Sequence, residues 1–380
     1  MGCYLEIVLA VIVCTILFFL LSPKNWPLIR IIPTAYFQNH KLYNKLTQVL
    51  AENKGTILLK TSLFTSTDIL VTSDPANVQH VMNSNYSTYQ RGSEFRKAFD
   101  FLGGAAFIKD LDEWRQEKKF THAFYKEIEF QKSTPKITHH TLQKGLIPVL
   151  DQASKHKHVL DLQVLFNRYM LDATCLLATG FDLGSLLVGS PLLDAMDDIS
   201  EAVFYRHVLP ERVWKMQRWL RIGKEKKFGE AVKVLNRILD EYVSKKYETE
   251  EATSRGFDVL RFYLANISKS TKQDEKSYLC FNIMTLLFAG RDTSAALLTW
   301  FFYVVSENPL VEKNILQEIS ETISTPEAKL SPYLFYDVEK LSKLVYLHGA
   351  LTEGLRLFPT APVIIRDPIE EDVLPSGHRV

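Results

Sequence analysis

Residues 274–308 read DEKSYLCFNIMTLLFAGRDTSAALLTWFFYVVSEN, and Pro309 follows. Asp274 suits an N-cap, charges fill the first turn, and Asn308-Pro309 ends the helix. As one helix it spans about 50 Å at 1.5 Å per residue. Tyr278 to Ala289 and Ala295 to Val305 are apolar nearly all round, the pattern of a buried rod. Its middle breaks that pattern. Gly290, Arg291, Asp292, Thr293 and Ser294 place a helix weakener, two charges and two hydroxyls inside it. Interior Gly costs about 1 kcal/mol against Ala, and Thr or Ser can bond back to the preceding turn and bend it. Arg and Asp near the centre of a membrane span would each cost ~3 kcal/mol, which argues against that reading. A kinked core helix with hydrated polar groups and a functional groove both remain open.

A chain of 380 residues can bury a large core in one domain or two. The net charge of +1 gives no argument for nucleic acid as a partner. Cys3, Cys14, Cys175 and Cys280 are too few and too scattered for a disulfide framework or a zinc site, and no residue reads as a metal ligand. Ile7 to Leu21 is apolar apart from Thr15, short for a spanning helix unless Cys3 to Leu5 extend it. A cleaved signal peptide is the alternative. The run lacks a basic start and a small-residue cleavage site, which favours a retained anchor over residues 1–22. Lys24, Arg30 and Lys41 place the body on the cytosolic side. Pro23, Pro27 and Pro33 make residues 23–35 a stiff link to the body, residues 36–380.

Thr56 to Lys60 and Asp68 to Thr72 read as a hairpin, after which Asp74-Pro75 opens a helix. Tyr89 to Ala106 has poor periodicity and reads as a loop with short helical turns. Trp114 and Lys118 stand four apart, on one helix face. Leu160 to Gly180, Leu193 to His207, Leu310 to Ile323 and Leu341 to Leu357 are helical by period. Between Trp214 and Lys224, apolar and basic residues interleave, as at a lipid interface or on a solvated helix with one core stripe. Lys245 to Arg255 reads as a charged surface linker. Glu353 and Arg356 face one another, worth a few tenths of a kcal/mol if exposed. Val363 to Arg366 reads as a strand, and Asp372 to Val380 as the first arm of a hairpin.

Ala289-Gly290-Arg291-Asp292-Thr293 matches the (A/G)-G-x-(D/E)-T pattern of the long central helix of cytochrome P-450 enzymes, and Glu353-Gly-Leu-Arg356 with Pro359 matches their E-x-x-R motif. In this order the two motifs together make the chain resemble that family. The strings FNRYMLDATCLLATGFD and AVFYRHVLPERVW resemble its plant alkane and fatty-acid hydroxylase branch. The resemblance implies a mainly α fold with a small β domain, the cytochrome P-450 fold, behind an N-terminal membrane-anchor helix. It implies haem as cofactor, a NADPH-cytochrome reductase and membrane lipids as partners, a long-chain aliphatic substrate, and a place on the endoplasmic reticulum membrane.

Residue by residue, the resemblance implies that Thr293 and Asp292 handle protons at the reacting oxygen and that Ala289 and Gly290 leave room for it. Trp114 and Lys118 stand where the family has W-x-x-x-R reaching a haem propionate; here Lys replaces Arg and loses its planar fork. Arg366 takes a similar cationic place. Glu353 and Arg356 would be a buried structural pair, and Phe95, Phe99, Phe101, Leu102, Phe204, Val363 and Ile364 would line the substrate pocket. The family's axial cysteine thiolate lies in a glycine-rich loop after the E-x-x-R helix, and none of the four cysteines fits that place. The sequence read here ends before that loop. Such a chain is expected to be inactive, with part of the central helix left uncovered, and the alternative is a non-catalytic, membrane-tethered protein that binds lipid or a partner.

Overall fold

Helices make up most of the computed structural model, which describes residues 41–59, 68–249, 257–266, 272–323 and 338–380. In chain order they are α1 (Leu42–Glu52), α2 (Pro75–Gln79), α3 (Gly92–Ala98), α4 (Leu111–Lys126), α5 (Ile128–Thr141), α6 (Ile147–His156), α7 (Leu162–Thr179), α8 (Pro191–Val208), α9 (Glu211–Leu220), α10 (Gly223–Thr249), α11 (Val259–Asn266), α12 (Lys272–Ser306), α13 (Pro309–Ile323), α14 (Val338–Leu341) and α15 (Val345–Leu357). The strands β1 (Thr56–Leu59), β2 (Ile69–Thr72), β3 (Tyr89–Gln90) and β4 (Asp367–Pro368) pair antiparallel, β1 with β2 and β3 with β4. The expected anchor and its proline-containing link lie outside the described residues. Among the described residues no helix is long and apolar enough to cross a membrane.

The chain divides into two compact units. One gathers the chain up to Ala98 with Ser200–Lys227 and Arg366–Val380; the other holds Phe99–Ile199 and Phe228–Ile365.

The first unit contains the β structure. In the expected hairpin, Ile57 and Leu59 are buried while Leu58 is exposed, the period-2 alternation of a one-sided sheet. Asp74 caps α2 by accepting from the amides of Ala76 and Asn77, with Pro75 at the first helical position. Buried Asn77 then donates to Thr56 Oγ1, Thr72 Oγ1 and Ser376 Oγ, and accepts from the Ser376 amide. Thus the hairpin, the helix start and the C-terminal segment share one satisfied polar side chain.

Residues 372–380 form both arms of a small hairpin rather than one. Asp372 and Val380 exchange amide–carbonyl bonds, and Val373 bridges Arg379. Asp372 also gathers donors. Its Oδ2 lies 2.8 Å from His80 Nε2, 2.7 Å from the Tyr89 hydroxyl and 2.9 Å from Asn85 Nδ2, and its Oδ1 accepts from the Val373 amide. The bonds from His80 and Tyr89 hold its carboxyl well below the usual carboxylate range. A carboxyl with a lowered folded pKa stabilises above its unfolded value, about 3.9, and loses that contribution as pH falls through the folded value. Denaturation midpoints measured from pH 6 downward are therefore expected to fall below about pH 4. In Asp372→Asn the neutral-pH midpoint drops and that part of the acid slope disappears; an unchanged slope refutes the assignment.

In the second unit α7 lies along α12. Leu165, Phe166 and Tyr169 of α7 pack with Leu146, Leu186 and Ala295 in one buried cluster. The start of α7 is capped by Asp161, and its end by Gly180 in the left-handed region. The expected helix at 341–357 is two pieces, α14 and α15, separated at Ser342–Leu344. The expected linker at 245–255 begins as helix, because α10 runs to Thr249. Its Lys246 is buried: Nζ donates to the Thr179 carbonyl at 3.0 Å and pairs with buried Asp258. A lysine in a charged run reads as solvated until the partner that neutralises it is known.

Candidate active site

The central helix α12 is continuous, 35 residues, and begins at Lys272, two residues before Asp274. Asp274 therefore lies within the first turn, past the N-cap position. Leu279, Ile283, Leu287, Arg291 and Ala295 are buried, spaced four apart on one face, with Met284 beside them. Ala289, Thr293 and Trp300, four and seven apart, share another face and form an exposed stripe. The apolar sequence reads as buried all round; residues 275–288 are buried or half-buried accordingly, and α12 opens at this stripe. Past that stripe, Phe302 and Tyr303 are also exposed, and Trp300 stacks on Phe358, ring centres 4.1 Å apart.

Within the open stripe, Thr293 Oγ1 donates to the Ala289 carbonyl at 2.7 Å, the back-bond expected of a hydroxyl inside a helix. Asp292 is 43% exposed and lies 3.3 Å from Arg291 Nη1. Gly290 does not open a space. A Cβ on it would meet Thr174 of α7 at 2.7 Å, so its missing side chain serves the close approach of two helices. Neither Thr174 nor Asp197, the hydrogen-bond partner of Arg291 on α8, is marked by anything in the sequence. Each is an ordinary helical residue far from the motif it touches.

The other expected site residues are spread over several elements. Trp114 and Lys118 meet as the four-residue spacing requires, with Lys118 Nζ 4.6 Å from the Trp114 ring centre. Phe101 and Leu102 are buried in the core instead of lining a space. Phe101 packs edge-on against Phe228 and Phe288, and Phe99 against Phe107. Val363 and Ile364 are exposed and form no strand; the paired residues are Asp367 and Pro368.

Glu353 and Arg356 make a two-pronged pair at 2.7 and 2.6 Å, but their side chains are 55% and 67% exposed. Among the described residues this pair is exposed, where the resemblance implies a buried one. The inward stripe of α15 is Leu347, Leu351, Gly354 and Phe358, and Glu353 and Arg356 each stand two residues on from that stripe.

In the first unit Phe95 is buried on α3 beneath the Arg91 guanidinium, 5.0 Å from the ring centre. Phe204 is half-buried on α8 against Tyr205, and Arg366 is half-buried.

The described residues match one side of a haem site and not its axial ligand. Exposed Ala289 and Thr293 of α12 would suit a flat apolar group, and Trp114 and Lys118 would offer donors to a carboxylate. Both described thiols are buried, and burial pushes Cys175 up to about 12 and Cys280 up to about 11. Burial thus disfavours the thiolate at both positions.

A model of the family described as Cytochrome P450 matches residues 21–378. Alkane hydroxylase MAH1 of Arabidopsis thaliana is 34% identical over 368 residues, covering 94% of this chain and 71% of that protein. Cytochrome P450 86B1 of the same plant is 31% identical and covers 93% and 65%; noroxomaritidine synthase of Narcissus is 30% identical and covers 99% and 75%. Those names imply different products, so the family is shared while the substrate is not fixed by kinship. The match over nearly the whole chain, with the polar notch of α12 and the Glu353–Arg356 pair at the family's motif positions, establishes that this chain belongs to the cytochrome P450 family of haem-dependent monooxygenases.

Proposed function

We propose that this protein hydroxylates long unbranched aliphatic chains, alkanes or fatty acids, taking electrons from NADPH through a flavin reductase at the cytosolic face of the endoplasmic reticulum. The observation that carries the reading is the open stripe of α12, where Thr293 and Asp292 stand exposed beside a largely apolar helix surface. Haem, when bound, supplies dioxygen activation. The chain's own residues supply the proton path. Asp292 carries a proton in from solvent on its carboxyl, and Thr293 Oγ1, released from the Ala289 carbonyl, passes it inward, a positioned acid–base relay. Such relays contribute on the order of 100-fold or more.

The test uses the complete, haem-loaded protein with its reductase, supplied with alkanes and fatty acids. In Thr293→Ala, NADPH use and peroxide release are expected to rise on the order of 100-fold relative to hydroxylated product, the small end of a relay's contribution. Unchanged coupling removes Thr293 from the role. Failure to hydroxylate any unbranched chain removes the substrate class.

A second reading, a non-catalytic lipid-binding protein, has one observation in its favour. On and just after α9, Met216, Trp219, Leu220 and Ile222 are exposed beside Lys215 and Arg221. It predicts sedimentation with anionic vesicles but no product under the same assay.

A further inference from the structure

Arg291 is the charged residue of the Ala289–Thr293 run that the relay does not use. Its side chain is 2% exposed, a cation on the buried face of a mostly apolar helix. Only Nη2 is hydrogen-bonded, to Asp197 Oδ1 of α8. Nε and Nη1 are buried without a hydrogen-bond partner, and Nη1 lies 3.3 Å from Asp292 Oδ1. One guanidinium thus serves two carboxylates unequally. Asp197, 61% exposed, holds it by a hydrogen bond; Asp292 feels its charge without being bonded to it.

Left with one carboxylate, a guanidinium prefers the two-pronged, charge-assisted arrangement. Arg291 has two unused donors for it. Without Asp197 the nearest acceptor is Asp292, and a doubly bonded Asp292 could no longer turn to the exposed side where Thr293 stands.

We propose that Asp197 and Arg291 are positioning residues for Asp292, Asp197 drawing the guanidinium toward α8 so that the Asp292 carboxyl is oriented by the buried charge without being drawn into a two-pronged pair with it. This rests on the proton-carrying reading of Asp292, but the division of charge can be read without haem or turnover. In protein labelled with 13C at aspartate carboxyls, the infrared band lost in Asp292→Asn belongs to Asp292. Asp197→Asn is expected to shift that band to the position of a hydrogen-bonded ion pair, and Asp197→Glu to return it. With Arg291→Met in place, residue 197 no longer affects the band. A band unmoved by Asp197→Asn overturns the proposal.

Denaturation midpoints give an independent check. Asp197→Asn and Asp292→Asn together are expected to lose more than the sum of their separate losses, because the double variant strips the buried cation of both counter-charges. Additive losses overturn the shared-charge arrangement. In the complete, haem-loaded protein, Asp197→Asn should lower product per NADPH on the order of tenfold, as misplacement of a reacting group does, with the substrate-binding spectrum unmoved. Unchanged coupling there, with a shifted band, overturns the positioning role. Absence of turnover in the unsubstituted protein overturns the monooxygenase reading instead, leaving the band and the midpoints to decide how Arg291 is shared.

Discussion

Replacing Glu225 by Ala is expected to cost roughly 3–5 kcal/mol, the loss that follows when one partner of a buried ion pair is removed. Glu225 sits in the first turn of α10 and takes two bonds from buried Arg206 of α8, at 2.6 and 2.8 Å, and one from Arg218 of α9 at 3.0 Å. Arg206 also donates to the Ala98 carbonyl at the end of α3, and both arginines lie about 5 Å from the Trp214 ring centre. One carboxylate therefore joins three helices, and its pair with Arg206 is one that water does not screen, since both side chains are almost fully buried. Its removal leaves the Arg206 charge with a carbonyl and a ring face. If burial is what makes the loss large, removing both charges should hurt less. Arg206→Met with Glu225→Leu is expected to come within about 1 kcal/mol of the parent or above it, since apolar replacements of buried pairs are often neutral or stabilising. Urea midpoints of the single and double variants decide. A Glu225→Ala loss below about 1 kcal/mol would place the pair in the weak class of exposed bridges.

What was legible in the chain is what local rules govern. Asp74-Pro75 announces a helix start because cap and first-turn preferences act within four residues, and the structure places the cap there. Glu353 and Arg356 meet because helical spacing brings them together. The rest depends on residues far apart in sequence. Glu225 stands in the run Gly-Lys-Glu-Lys-Lys, which reads as a solvated face until Arg206 is folded onto it. The run Phe99 to Leu102 reads equally well as pocket lining or core, and only the rings of Phe228 and Phe288 decide for core at Phe101. The exposure of the Glu353–Arg356 pair could not be read from its spacing, because the same spacing serves either face of α15. The notch in α12 carries both kinds of information. Its hydroxyl and carboxyl are visible as a motif, while the reason for its glycine lies on another helix.

That glycine separates two accounts of the notch. If Gly290 exists to leave room beside the reacting oxygen, a larger residue should harm turnover more than folding. The contact with Thr174 argues the reverse order. Gly290→Val is expected to cost about 3 kcal/mol, the upper part of the range for overpacking, because Thr174 is short and branched and cannot swing aside. The gain in helix propensity on replacing Gly is at most about 1 kcal/mol and does not cancel it. Gly290→Ala should lie between, its clash partly offset by that gain. The decisive variant is the second-site one. Thr174→Ala removes the Cγ2 and Oγ1 atoms at 2.7 and 2.8 Å and leaves only a Cβ at 3.4 Å, so it should return most of the stability lost in Gly290→Val. Recovery of the denaturation midpoint in the double variant assigns Gly290 to the seam between α7 and α12. No recovery, with folding intact and hydroxylation lost, returns it to the open face of the helix.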